Sequence, residues 1–140
     1  MNIIVRVSAL VCPTEIEEKV RIALTNLFPV EFILRDFGIP QLYSEGSIGT
    51  LRKLHMLLRE SIILDTARRI LINGTESSTT QFLLNKQVAF VGKVNFTAGE
   101  ESLGSINVEI SADNTEDLMM IIDWLAPETV EGKPVKEIEL

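Results

Sequence analysis

Cys12 and His55 are the only cysteine and the only histidine in this chain of 140 residues, and they are its first candidates for nucleophilic chemistry. Cys12 stands just ahead of an expected helix, where the helix dipole favours a thiolate, and His55 would be its base. Nothing in their spacing brings them together. The plainer expectation is a half-buried thiol and an imidazole on a helix surface. One Cys and one His cannot supply the four N or S ligands of a structural zinc site, so no metal and no cofactor is expected. Glu100, Glu101 and Asp113 leave a carboxylate Mg²⁺ site open, but they read more simply as solvated loop charges.

Phosphate chemistry has a stronger signal. Gly46-Ser47-Ile48-Gly49-Thr50 precedes a helix, and free amides at a helix N-terminus hold anions. The P-loop needs Gly, four residues, then Gly-Lys and Ser or Thr. That spacing is absent, and Arg52 and Lys53 fall inside the helix. Ser47, Gly49 and Thr50 are therefore candidates for binding one anion, with Ser47 as a plain N-cap the simpler alternative. An enzyme acting on a phosphorylated small molecule would add Arg52 or Arg68 to these amides.

The best lead is basic. Arg52, Lys53, Arg59, Arg68 and Arg69 lie on two expected helices, opposed there only by Glu60 and Asp65. Residues 1–96 hold 11 basic and 9 acidic side chains, whereas residues 97–140 hold 2 basic and 11 acidic ones. The overall charge of −7 thus hides a locally basic surface able to neutralise phosphates, the plainer alternative being a solvated helix face paired with the acidic tail of the same chain. Lys86 is a further candidate, and Lys86, Ala89, Phe90 and Val91 match part of the main RNA-recognition-motif signature. Val88 and Lys93 replace two of its aromatic positions, and base stacking needs those rings. The full motif is absent.

The elements that must position these residues follow from periodicity. Residues 3–11 alternate, with Ile3, Val5, Val7, Ala9 and Val11 on one face of a strand. Thr14-Glu15-Ile16-Glu17 fits a capping box, and Ile16, Val20, Ala23, Leu24 and Leu27 form a helical stripe that Pro29 ends. Residues 30–35 alternate again. A turn at Gly38-Ile39-Pro40 leads to a short strand at 41–44. Leu51, Leu54, Leu58 and Ile62 keep helical register, and the poor interior residues Ser61 and Asp65 divide the run into helices at about 48–60 and 62–72. Asn73-Gly74 ends the second. Residues 79–84, 92–96 and 106–110 read as strands, with 85–91 ambiguous between them. Asn114 caps a last helix whose Leu118, Ile121, Ile122 and Leu125 face inward, with Trp124 bordering that stripe against the sheet. Pro127 ends it, and a polar tail follows to Leu140.

Strands with one polar face belong to antiparallel sheets. The expected fold is α+β in two layers, a largely antiparallel sheet with helices on one face, in a single domain over residues 1–140. With 46% hydrophobic residues and mixed charge, the chain is not of disordered composition. One cysteine excludes an internal disulfide framework, and no apolar run reaches the ~18 residues of a membrane span. No basic n-region opens the chain, so a cytoplasmic protein away from membranes is expected.

Several blocks resemble an archaeal group, uncharacterised protein family 0201. They are Asn85-Lys86-Gln87-Val88-Ala89-Phe90-Val91-Gly92 with Val94-Asn95-Phe96, Ile63-Leu64-Asp65-Thr66-Ala67-Arg68, Leu51-Arg52-Lys53-Leu54, and Asp123-Trp124-Leu125-Ala126-Pro127. The resemblance spans about residues 3–135. It implies a fold like that of the 5S-RNA-binding large-subunit ribosomal protein, and it carries no catalytic residues. Three functional classes remain: a non-enzymatic domain binding structured RNA through its basic helices, an interaction module or homodimer using a sheet edge or the helical face, and the phosphate-ligand enzyme above.

Overall fold

The structure, a computed structural model, describes residues 1–140. Its centre is a six-stranded antiparallel sheet in the order β2-β3-β1-β6-β5-β4. The strands are β1 (Ile4–Leu10), β2 (Ile33–Asp36), β3 (Pro40–Gly46), β4 (Thr75–Glu76), β5 (Thr79–Leu84) and β6 (Ile106–Ser111). Alternation in the sequence sorts the two faces. Val7 pairs with Ser44 on one side and Val108 on the other, and Phe82 extends the row. All four are buried. One residue on, Arg6 pairs with Glu45 and Glu109, and Gln81 follows, so this row lies on the open face. The fold is the α+β arrangement expected.

Helices α1 (Glu17–Leu27), α2 (Arg52–Glu60), α3 (Leu64–Asn73), α4 (Lys86–Phe90) and α5 (Thr115–Leu125) cover the buried face. A single 3₁₀ turn, Ile48–Leu51, leads into α2. Leu24, Leu54, Leu58, Leu71, Leu118 and Ile121 fill the space between the layers. Asn114 caps α5 through a 2.8 Å bond from the Asp117 amide. Gly74 follows α3 because a Cβ there would lie 2.3 Å from the Gln81 carbonyl oxygen.

Several details differ from expectation. α1 begins at Glu17, and the side chain of its N-cap, Ile16, cannot bond. The reciprocal bonds form one turn earlier: the Glu15 amide donates to the Cys12 carbonyl at 2.8 Å, and the Cys12 amide donates to the Glu15 carboxylate at 3.0 Å. Residues 92–96 are not a ladder strand, since only Phe96 bridges, to Leu84. The ambiguous 85–91 segment is α4, capped by the Asn85 side chain accepting from the Val88 amide. Trp124 is buried as expected, and its ring stacks on His55 of α2 with ring centroids 4.5 Å apart. The polar tail folds back as a small hairpin, β7 (Thr129–Val130) with β8 (Lys133–Pro134), and Ile138 and Leu140 pack against the core.

Candidate nucleic-acid interface

The α2–α3 pair carries five of the expected contact residues, and its packing divides them. Helix α5 has no basic residue in its last turn, so the partial negative charge of its final carbonyls needs cations from elsewhere. Arg59 of α2 supplies one. Its Nη1 donates to the Leu125 and His55 carbonyls at 3.0 and 2.8 Å, and Nη2 donates to the Trp124 carbonyl at 3.1 Å. Nε and Nη2 also grip the Glu137 carboxylate at 2.9 and 2.6 Å. All five N–H donors of a guanidinium are then used. Arg68 of α3 completes the cap, donating to Asp123 at 2.8 Å and to the Ala126 carbonyl at 3.2 Å, with Glu128 3.7 Å away. Arg59 and Arg68 thus hold the helices together and are not free phosphate ligands.

Lys86 is corrected more sharply. Its side chain is 6% exposed, and Nζ donates to the Leu10 carbonyl at 2.9 Å, the Leu103 carbonyl at 2.6 Å and the Glu15 carboxylate at 3.0 Å. These three bonds exhaust an ammonium group. The ion pair ties the end of β1, the entry to α1 and the loop before β6. It also borders a concavity of about 320 Å³ between α1 and α4, lined by Ile16, Val20, Ala23 and Phe90.

Three cations stay outward. Arg52 and Arg69 are exposed and Lys53 is half-buried, and none of them pairs with a side-chain carboxylate. Arg52 donates to the Leu140 carbonyl at 3.2 Å and lies 5.9 Å from the Trp124 ring. The proposed anion site contracts as well. Thr50 is buried, its amide donates to the Ser47 carbonyl, and the Ser47 side chain makes no capping bond. Only Ser47 and Gly49 face outward, on a single 3₁₀ turn whose dipole is weak.

The remaining chemistry is dispersed. Cys12 Sγ donates to the Leu103 carbonyl at 3.4 Å, whereas His55 stacks on Trp124 of α5. Burial, then the bond with Glu15, pushes the Cys12 thiol above its ordinary pKa, which opposes a thiolate. Glu101 accepts from Asn85 and Ser105, whereas Asp113 accepts from the Asn2 amide, so these carboxylates do not gather. On the open sheet face Tyr43 is covered by Arg35, 3.6 Å from the ring centroid, and its hydroxyl donates to Glu45. One face of its ring is therefore taken up by Arg35.

A family model described as RNA binding matches residues 4–112, from β1 through β6. The UPF0201 protein of Methanopyrus kandleri is 45% identical over 139 residues, covering 92% of this chain and 87% of its own. The chain belongs to the UPF0201 family. Its relative in Sulfolobus acidocaldarius is 40% identical, covering 94% of this chain and 92% of that protein. The crystal structure of the UPF0201 protein from Methanococcus jannaschii superposes with a TM-score of 0.83 at 40% identity, over 95% of this chain and 99% of that one. The family resemblance read from residues 51–54, 63–68, 85–96 and 123–127 is therefore correct. No helix is long and apolar enough to cross a membrane.

Proposed function

We propose that this UPF0201 protein binds structured RNA through phosphate contacts made by Arg52, Lys53 and Arg69. The observation that carries the reading is the family model described as RNA binding, whose span includes the whole α2–α3 pair. The three cations without side-chain carboxylate partners support it. A surface of three cations binds by counterion release, so affinity is micromolar at low salt and falls by a logarithmic slope of about 2–3 as salt rises. The 11 carboxylates of residues 97–140 oppose a polyanion beyond a Debye length of about 8 Å. The open sheet face carries no stripe of aromatic rings, its one tyrosine, Tyr43, lying under Arg35, so single strands gain little by stacking and a hairpin competes better.

Fluorescence anisotropy with a labelled RNA hairpin at low ionic strength tests this. Replacing Arg52, Lys53 and Arg69 together by Glu is expected to abolish binding while circular dichroism stays unchanged. If the triple variant binds as the parent does, or the parent binds no hairpin, the reading fails.

A second reading is self-association. It rests on the apolar side chains exposed at the β2 edge of the sheet, Ile33, Leu34, Phe37 and Ile39. Light scattering of the full chain across concentration tests it, with a dimer mass expected.

A further inference from the structure

β2 is the outer strand of the six-stranded sheet. Ile33 is 60% exposed and Phe37 at the hairpin tip 84%. Edge strands are ordinarily protected by lysine, proline or a bulge, and Ile33-Leu34-Arg35-Asp36 has no lysine or proline. The edge is held in place. β2 pairs with β3 along its length. The Phe32 carbonyl, on the outward side of the strand, accepts from Arg21 Nη1 at 2.7 Å, leaving its second lone pair for an incoming strand.

We infer that β2 pairs antiparallel with β2 of a second copy of this chain, Ile33 lying opposite Ile33 on the two-fold axis. This rests on the self-association reading above and adds its geometry. Two copies of a strand that continue one sheet antiparallel are related by an axis perpendicular to that sheet. Each face then continues into the same face of the other copy, so the residue numbers of opposed pairs sum to an even value.

Charge selects the register. Ile33 and Arg35 pair with Tyr43 and Gln41 on the open face, and alternation places exposed Glu31 with them. With Ile33 on the axis, Glu31 of each copy faces Arg35 of the other, and Leu34 faces Phe32. Centring on Arg35 opposes two guanidinium groups. Centring on Leu34 sets Asp36 against apolar Phe32, and centring on Phe32 sets Glu31 against Ile33. Only the Ile33 register gives opposed charges twice with an apolar pair between them. Arg35 suits that role: it bonds Gln41 through Nη2, lies over Tyr43 and pairs with no carboxylate of its own chain. Edge pairing of this kind draws affinity from main-chain bonds and specificity from the side-chain register.

Cross-linking and charge exchange test the register on the full chain. In a Cys12→Ser background, Ile33→Cys is expected to give a disulfide dimer on mild oxidation with diamide, because directly opposed residues meet disulfide geometry. Leu34→Cys is not, since its opposite number is Phe32. Glu31→Arg is expected to raise the dimer dissociation constant roughly tenfold, and adding Arg35→Glu to restore most of it. A parent that stays monomeric at all concentrations overturns the self-association reading and this inference with it. A dimeric parent whose Ile33→Cys variant does not cross-link and whose Glu31→Arg variant dimerises normally leaves self-association standing and overturns the β2 register.

Discussion

The Arg59 guanidinium lies 2.6 Å from a carboxylate oxygen of Glu137, 78 residues along the chain. The bond joins α2 to the segment after the β7–β8 hairpin, and the same guanidinium caps three carbonyls, two of them at the end of α5. An arginine that looked like a phosphate ligand is instead a junction between three elements. The acidic surplus of residues 97–140 is partly accounted for in this way: Asp123, Glu128 and Glu137 answer Arg59 and Arg68 from within the chain.

Removing that junction leaves buried carbonyls without donors. Arg59→Ala is expected to lower stability by about 2–3 kcal/mol, since hydrogen bonds to charged groups contribute about 1.5–3 kcal/mol. Arg59→Lys should rescue little of it, because an ammonium has fewer donors and no fork. Arg69→Ala, at an exposed position, should stay within about 0.5 kcal/mol of the parent. Urea unfolding of the three variants compares them directly.

The same region makes stability fall in acid through two separate windows. Burial, reinforced by the charges of Arg59 and Arg52, holds His55 below its ordinary pKa. The unfolded state then takes up a proton first, so this contribution is full above about pH 6.5 and is lost as pH falls through the folded value. Hydrogen bonds from Arg59 hold the Glu137 carboxyl below its ordinary range. Its contribution is present above about pH 4.3 and is lost lower down. Urea midpoints measured from pH 8 to pH 3 should show both declines. His55→Gln should flatten the upper one and Glu137→Gln the lower.

Strand positions were legible because alternation reports burial one residue at a time. Residues 3–11, 79–84 and 106–110 each place their apolar set on the helix side. The Asn114 cap was legible too, since its bond is local. That the basic helices could pair with the acidic tail was legible from charge. Which arginines pair, and the burial of Lys86, were not, because their acceptors lie up to 78 residues away and helical periodicity places a flank without naming what covers it. Residues 92–96 alternate in type, but only Phe96 reaches a neighbouring strand. A segment of that pattern serves equally well as a loop with one buried anchor, Val94, and one half-buried, Phe96.

Ile62 shows a further limit of periodicity, and it carries a prediction. Its apolar character reads as part of a helical stripe, but it is 75% exposed and sits at φ 54° between α2 and α3. The Ile63 amide donates to the Leu58 carbonyl and the Ile62 amide to the Arg59 carbonyl, which is a Schellman end. Glycine is the usual residue there, and a β-branched side chain is strained. Ile62→Gly is expected to gain about 1 kcal/mol, visible as a higher urea midpoint with an unchanged slope.

Trp124 offers a spectroscopic check on the helical layer. The ring is 4% exposed and stacked on His55. Native emission should be blue-shifted and poorly quenched by iodide, and it should respond as His55 titrates. Trp124→Ala is expected to cost about 3–5 kcal/mol, as for other large buried aromatics.

Lys86 is the group whose removal should discriminate most clearly between a structural and an RNA-contacting role. Its side chain and that of Glu15 are 6% and 11% exposed, so the pair is shielded from solvent. Deleting the ammonium leaves the Glu15 carboxylate and two carbonyls without their donor, and breaking a buried pair from one side costs about 3–5 kcal/mol. Lys86→Met keeps the stem and loses the charge, so it is expected to show nearly that full cost. Glu15→Gln with Lys86→Met removes both charges and should recover part of it. Neither variant should change RNA affinity at a temperature where it remains folded, because Nζ has no donor left to offer a phosphate. Loss of hairpin binding by folded Lys86→Met would return Lys86 to the interface and require the 97–105 loop to move aside when RNA binds.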